Sequence, residues 1–159
     1  MGGGAMTRLD GAVAIVTGAA QGIGAAYARG CAGEGAQVVV TDVQDPDPVV
    51  DEITASGGAA LGVVADVTDQ DSVEALVRTT IGKWGKIDVL VNNAALFGAL
   101  AMKRFETIDE DEWDAVMRVN IRGVWQCSKA VVAEMRKKKY GKIINIASGT
   151  CFKGTPMML

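Results

Sequence analysis

A doubly wound α/β domain is the fold this sequence predicts, with a parallel sheet in the strand order 3-2-1-4-5 and helices on both faces. Three observations carry the prediction. Short runs rich in Val, Ile and Leu alternate with segments of helical period to the end of the chain, with no linker between them. Hydrophobic residues make up 49% of the 159 residues, aromatics only 5%, and there are 20 glycines, which suits small side chains packed around tight turns. A glycine-rich turn follows the first apolar run and opens straight into a helix. The length fits one domain able to bury a sizeable core.

The elements follow in order. Ala12 to Val16 reads as the first strand and Gln37 to Thr41 as the second. Leu61 to Val64, Val89 to Val91 and Lys142 to Ile146 read as the third, fourth and fifth, their continuous apolar content being that of strands covered on both faces. Gly22 to Gly33 is a small, Ala-rich helix. Val73, Leu76, Val77 and Ile81 fall on one helical face, behind a cap at Asp69 or Thr68. The longest helix is expected from Thr107, where Thr107-Ile-Asp-Glu110 has capping-box spacing, to about Lys139. There the basic run Arg136 to Lys139 meets the negative end of the helix dipole, as a solvated terminus without further function.

Charge and composition narrow the function. Sixteen Lys and Arg against 19 Asp and Glu give a net charge of -3, which removes the basis for nonspecific nucleic-acid binding. No apolar run reaches the length of a membrane span, and no signal-peptide layout is present, so a cytoplasmic location is expected. Cys31, Cys127 and Cys151 are far apart and read as free thiols of a reducing compartment. There is no histidine, so His-dependent triads are excluded, and no metal site is expected.

The chemistry concentrates in Thr17-Gly18-Ala19-Ala20-Gln21-Gly22-Ile23-Gly24. Gly18 permits a tight turn, Gly22 leaves room for a pyrophosphate to approach the backbone, and Gly24 lets the helix pack on the strand. Free N–H groups at the helix start bind the anion. No Gly-Lys-Ser/Thr follows, which disfavours a P-loop. Packing alone could also call for such a turn. Asp42 ends the second strand, where a carboxylate can accept both ribose hydroxyls of an adenosine and repel a 2′-phosphate. Gln21 and Val43 supply no cation there, so NAD is favoured over NADP, the alternative for Asp42 being an ordinary turn acid before Asp45-Pro46.

With these residues in view, the chain resembles the N-terminal part of a classical short-chain dehydrogenase/reductase, a Rossmann-like fold, over Arg8 to Leu159. The residues that carry the resemblance are Thr17-Gly18-x-x-x-Gly22-Ile23-Gly24, Asp66-Val67, Asp88-x-Leu90-Val91-Asn92-Asn93-Ala94, Asn120 within Val119-Asn120-Ile121, and Ser148 after Ile143-Ile-Asn-Ile-Ala147. The resemblance implies that Asp66 and Val67 meet the adenine and that Asn93, with Ala94 and Ala95, stands beside the cofactor ribose. Ala95 replaces the usual glycine. Asn120 would hold a water in a proton relay, and Ser148 would hydrogen-bond the substrate oxygen.

The family's Tyr-x-x-x-Lys base pair is not found. Tyr27 and Tyr140 are followed four residues later by Cys31 and Ile144. The family position lies just past Leu159, and the fifth strand would otherwise be an unprotected apolar edge, so a longer natural chain is expected. Residues 1–7 are accordingly set aside as a tag or disordered N-terminus. Residues 8–159 are assigned to a dinucleotide-binding domain that is incomplete at its carboxyl end.

The expected function is an NAD-dependent oxidoreductase moving hydride between nicotinamide and an alcohol/ketone or aldehyde, these residues alone being inactive. The alternative is a catalytically silent nucleotide-binding or interaction protein, if the natural chain ends at Leu159. Phe97, Leu100 and Met102, with Cys151 and Phe152, suggest either a partly apolar substrate pocket or ordinary loop packing. The small-molecule substrate is the expected partner, together with further copies of the chain. Family members form dimers or tetramers through long helices, here the one carrying Val124, Trp125, Val131, Val132 and Met135, and Trp125 is the largest candidate for such a face.

Overall fold

The computed structural model describes residues 7–98 and 100–154. Met1 to Met6 and Leu159 therefore lie outside the described residues, as does the Cys151 side chain. Five parallel strands form one sheet in the order β3-β2-β1-β4-β5, as the alternation of elements predicts. The strands are β1 Val13–Thr17, β2 Gln37–Asp42, β3 Ala59–Val64, β4 Val89–Asn92 and β5 Lys142–Asn145.

Strand alternation splits the core into two layers. Ala14, Val16, Val38, Val40, Val89 and Val91 face α1 (Gly22–Gly33) and α2 (Asp47–Ala55), whose Ala25, Ala28, Val49 and Ile53 complete that layer. Ile15, Val39 and Leu90 face the other way. They pack under α3 (Gln70–Trp84) and α5 (Val124–Lys137), which contribute Val73, Leu76, Cys127, Val131 and Met135. Strands buried on both faces explain why β1, β2 and β4 read as unbroken apolar runs. At the β5 edge Ile143, Ile144 and Ile146 are partly open to solvent.

Several sequence expectations are corrected. The alternation implied a helix after the second strand, but α2 was given no bounds, because Asp45-Pro46 stood out only as a turn. Asp45 Oδ1 does accept the Asp47 N–H, but the turn starts a helix whose Val49 and Ile53, four apart, reach the core. The third strand begins two residues earlier than expected, in register with all of β2. Thr107 is not a helix cap: its hydroxyl donates to the Arg104 carbonyl and closes a single 3-10 turn. The cap of α4 (Glu110–Met117) is Asp109, whose Oδ1 accepts the Glu112 N–H at 2.8 Å. The same three-residue spacing operates two positions later.

The long helix is also not uniform. A π-helical turn over Arg118–Gly123 joins α4 to α5. The helix then ends at Lys137, with Lys139 in the left-handed region at φ 54°. The basic terminus is not simply solvated, because the Lys138 ammonium binds the buried Asp88 carboxylate. A short α6 (Thr150–Lys153) follows β5. Asp69 caps α3 by accepting the Asp71 N–H, and Gly85 ends it at φ 73°. No helix among the described residues is long and apolar enough to cross a membrane.

Candidate functional site

A parallel sheet gathers the carboxyl ends of its strands on one edge, and the segments leaving β1, β2, β3 and β4 there enclose a cleft of about 580 Å³. Gly18, Gln21, Asp42, Val43, Asp66, Val67, Asn93, Ala94 and Ala95 all line it. These come from four separate segments of the chain, so their convergence is a property of the fold.

The turn after β1 is built for close approach. Gly18 has φ +65°, and a Cβ there would lie 2.6 Å from the Ala94 Cα, so a side chain is barred both by conformation and by space. Gly24 allows α1 to sit against the turn, since a Cβ there would overlap the Gly18 carbonyl oxygen and the Asn93 amide. Gln21, at the N-cap of α1, makes no capping hydrogen bond through its side chain. The first N–H groups of a helix have no partner within it, so this end offers donors and positive dipole to an anion. Gly22 and Ile23 form that first turn, outside the cleft wall, with Ile23 65% exposed.

Hydrogen bonds tie the turn to β4. The Asn93 side chain donates to the carbonyls of Thr17 and Gly18, both at 3.0 Å. The Thr17 hydroxyl accepts the N–H groups of Asn93 and Ala94 and donates to the Val91 carbonyl. Thr17 was given no role at the sequence level. It stood only as the first residue of the glycine-rich motif, and its pairing with a segment 76 residues away is visible only in the fold.

At the next strand, Asp42 braces two loops. Its Oδ2 accepts the Ala20 N–H and its Oδ1 the Gln44 N–H, each at 3.1 Å. Asp66 is exposed, with its Oδ1 accepting the Thr68 N–H at 2.8 Å. Val67 is packed from behind: its carbonyl accepts from the buried Gln126 amide at 2.8 Å, and a Cβ on Gly123 would meet its Cγ2. No sequence signal pointed to Gln126, a polar residue on an otherwise apolar helix face.

Asn120 stands in the π-helical turn. Its Oδ1 accepts the Leu96 N–H at 2.8 Å and its Nδ2 donates to the Leu96 carbonyl at 3.2 Å, so its side-chain amide clamps the peptide after Ala95. Neighbouring Val119 reaches the cleft wall, as Leu96, Phe97 and Gly98 do, while Asn120 does not. Ser148 lies on the exposed segment after β5, outside that wall. Its Oγ accepts the Thr150 N–H at 3.1 Å and shares a hydrogen bond with the Thr150 hydroxyl at 2.8 Å.

Known proteins match this arrangement. A family profile described as short chain dehydrogenase matches residues 12–159. The chain is 44% identical to a 3-oxoacyl-[acyl-carrier-protein] reductase of Synechocystis sp., over 95% of this chain and 61% of that protein. It is 38% identical to a reductase of the same name from Thermotoga maritima, over 94% of this chain and 60% of that protein. A (2S)-[(R)-hydroxy(phenyl)methyl]succinyl-CoA dehydrogenase subunit of Thauera aromatica is 41% identical, over 86% of this chain and 54% of its own length. The chain thus spans somewhat over half the length of these curated relatives. On the match across all five strands and the glycine turn, the chain belongs to the short-chain dehydrogenase family of oxidoreductases.

Proposed function

We propose that this chain is the cofactor-binding part of an NAD-dependent oxidoreductase that moves hydride between nicotinamide and an alcohol/ketone or aldehyde. The carrying observation is Asp42, set at the cleft wall with Val43 and Gln44 and with no cation among the described residues that line it. A carboxylate there accepts ribose hydroxyls and repels a 2′-phosphate. The cleft fits a dinucleotide on independent grounds, because Gly22 at the start of α1 has φ +58° with open space where a side chain would stand, and the α1 N-terminus lacks a side-chain cap.

In this reading the N–H groups of Gly22, Ile23 and Gly24, with Gly18 and Gln21, hold the pyrophosphate. Asp66 and Val67 border the adenine. Asn93, Ala94 and Ala95 form the floor beside the nicotinamide ribose, with Asn93 holding the turn in place through its two carbonyl contacts. Bound NAD supplies the hydride acceptor. The Ser148 hydroxyl hydrogen-bonds the substrate oxygen, and Asn120, fixed to Leu96, stands where a helix can hold a relay water. Ser148 is a poor base by itself, so its role here is to hydrogen-bond the substrate oxygen rather than to take the alcohol proton. The catalytically silent alternative is not favoured by relatives named as reductases and a dehydrogenase.

The working form is proposed to be a cytoplasmic homodimer or homotetramer. Trp125 supports this, being 56% exposed beyond the stripe that α5 buries, with the Lys129 ammonium 5.0 Å from its ring centre. Calorimetric titration with NADH and NADPH tests the cofactor assignment. NADH should bind more tightly to the wild type, and Asp42→Ala should remove about tenfold of that preference. Tighter NADPH binding by the wild type would overturn it.

A further inference from the structure

One segment of the chain braces both ends of the cofactor cleft. The π-helical turn sets Asn120 on the Leu96 peptide, next to Ala95, and the first turn of α5 sets Gln126 on the Val67 carbonyl, next to Asp66. Gly123 lies between them, and a Cβ there would stand 2.8 Å from the Val67 Cγ2. Its φ of -59° is ordinary helix, so the close approach of Val67, not the backbone, calls for glycine.

Packing alone does not call for Gln126. It is 4% exposed, on a helix whose other buried residues are Cys127, Val131 and Met135, and a buried amide costs stability unless its hydrogen bonds are made. A methionine would fill the same space.

The turn after β3 that Gln126 holds is otherwise tied mostly to itself. The Asp66 N–H donates to the Ser72 hydroxyl at 3.0 Å, the Thr68 N–H to Asp66 Oδ1 at 2.8 Å and the Asp69 N–H to the Asp66 carbonyl at 3.1 Å, so these bonds travel with the turn and the start of α3. Among the described residues, its hydrogen bonds to the rest of the fold are from the Ala65 N–H to the Asp42 carbonyl and from the Gln126 amide to the Val67 carbonyl, both at 2.8 Å. The first fixes where the turn leaves the sheet. The second fixes how Val67 is presented to the cleft.

We infer that Gln126 is a positioning residue for adenosine recognition: its amide sets the peptide between Val67 and Thr68, and with it the wall against which the adenine lies. Gln126 does not line the cleft and acts through Val67. The inference rests on the reading that a nicotinamide dinucleotide occupies this cleft with its adenine against Asp66 and Val67.

AMP, which carries the adenine end of the cofactor, is the probe, titrated calorimetrically into the full-length protein alongside NADH. Gln126→Met keeps the volume and removes the donor, so AMP and NADH should each bind about tenfold more weakly than to the wild type. The nicotinamide end, braced by Asn93 and Asn120, should be unaltered, so at saturating NADH the emission maximum of the bound nicotinamide should coincide in variant and wild type. A general loosening of the fold would shift it. Gly123→Ala keeps the Gln126 bond but pushes on Val67, and should give the same pattern; it decides the matter if Gln126→Met does not fold. If the wild type binds NADH, then AMP affinity within about twofold of the wild type in either folded variant, no AMP binding by the wild type, or a shifted nicotinamide emission in the variants refutes this inference alone. Absent NADH binding by the wild type refutes the cofactor reading and this inference with it.

Discussion

Replacing Asp88 by asparagine should cost about 3 kcal/mol of stability at neutral pH. Asp88 is 6% exposed and precedes β4, where its carboxylate joins three elements. Oδ2 accepts the Val13 N–H of β1 at 2.9 Å and the Lys86 ammonium at 3.0 Å, while Oδ1 accepts the Lys138 ammonium at the end of α5. Its backbone adds bonds to Val13 and Lys142, at the starts of β1 and β5. Burial alone would raise the carboxyl's pKa, but the hydrogen bonds from Lys138, Val13 and Lys86 outweigh it and hold it below the usual value. Asparagine keeps one acceptor for Val13 and turns N–H donors toward an ammonium.

Removing one member of a buried pair costs about 3–5 kcal/mol, and the lower end applies because the side chains of Lys86 and Lys138 are 42% and 26% exposed and can rehydrate. The sign with pH follows from the depressed pKa. The carboxylate's contribution is complete above the unfolded value near 3.8 and is lost as pH falls through the lower folded value. Urea denaturation of both proteins, followed by circular dichroism from neutral to acidic pH, measures it. The two curves should converge in acid. A neutral-pH loss below about 1 kcal/mol, or a gap that stays constant into acid, would refute the reasoning.

Other outcomes follow from single positions. Gly24→Ala should destabilise by about 2 kcal/mol in urea melts, since its Cβ meets the Gly18 carbonyl and Asn93, whereas Gly30→Ala, with open space around it in the same helix, should stabilise by about 0.5–1 kcal/mol. Thr41→Val should be neutral or stabilise by about 1 kcal/mol, because the Thr41 hydroxyl is buried with no hydrogen-bond partner among the described residues. Cys127 is buried, and desolvation pushes its pKa up to about 12, so iodoacetamide at mildly alkaline pH should modify it only after unfolding, as peptide mass mapping would show.

How much of this was legible beforehand differs from element to element. The doubly wound sheet followed from patterning, because strands buried on both faces must be apolar throughout and the helices between them must show a stripe. The glycine turn was legible for a similar reason: positive φ and backbone contact leave glycine as the only residue that fits. Local spacing could not separate Thr107 from Asp109 as a cap, since both offer an oxygen three residues before an acid. The choice fell to Asp109 because the Thr107 hydroxyl was already engaged by Arg104.

Only the tertiary structure decided what distant residues do to each other. Lys138 in a basic run and Asp88 before a strand are unremarkable apart, yet the sheet brings them together as one buried pair. Asn120 clamping Leu96 and Gln126 holding Val67 depend on where a π-helical turn rotates the long helix, which no residue pattern announced. Periodicity records which face of an element is buried. It carries no record of which side chain arrives opposite, because that is set by the packing of elements far apart in the chain.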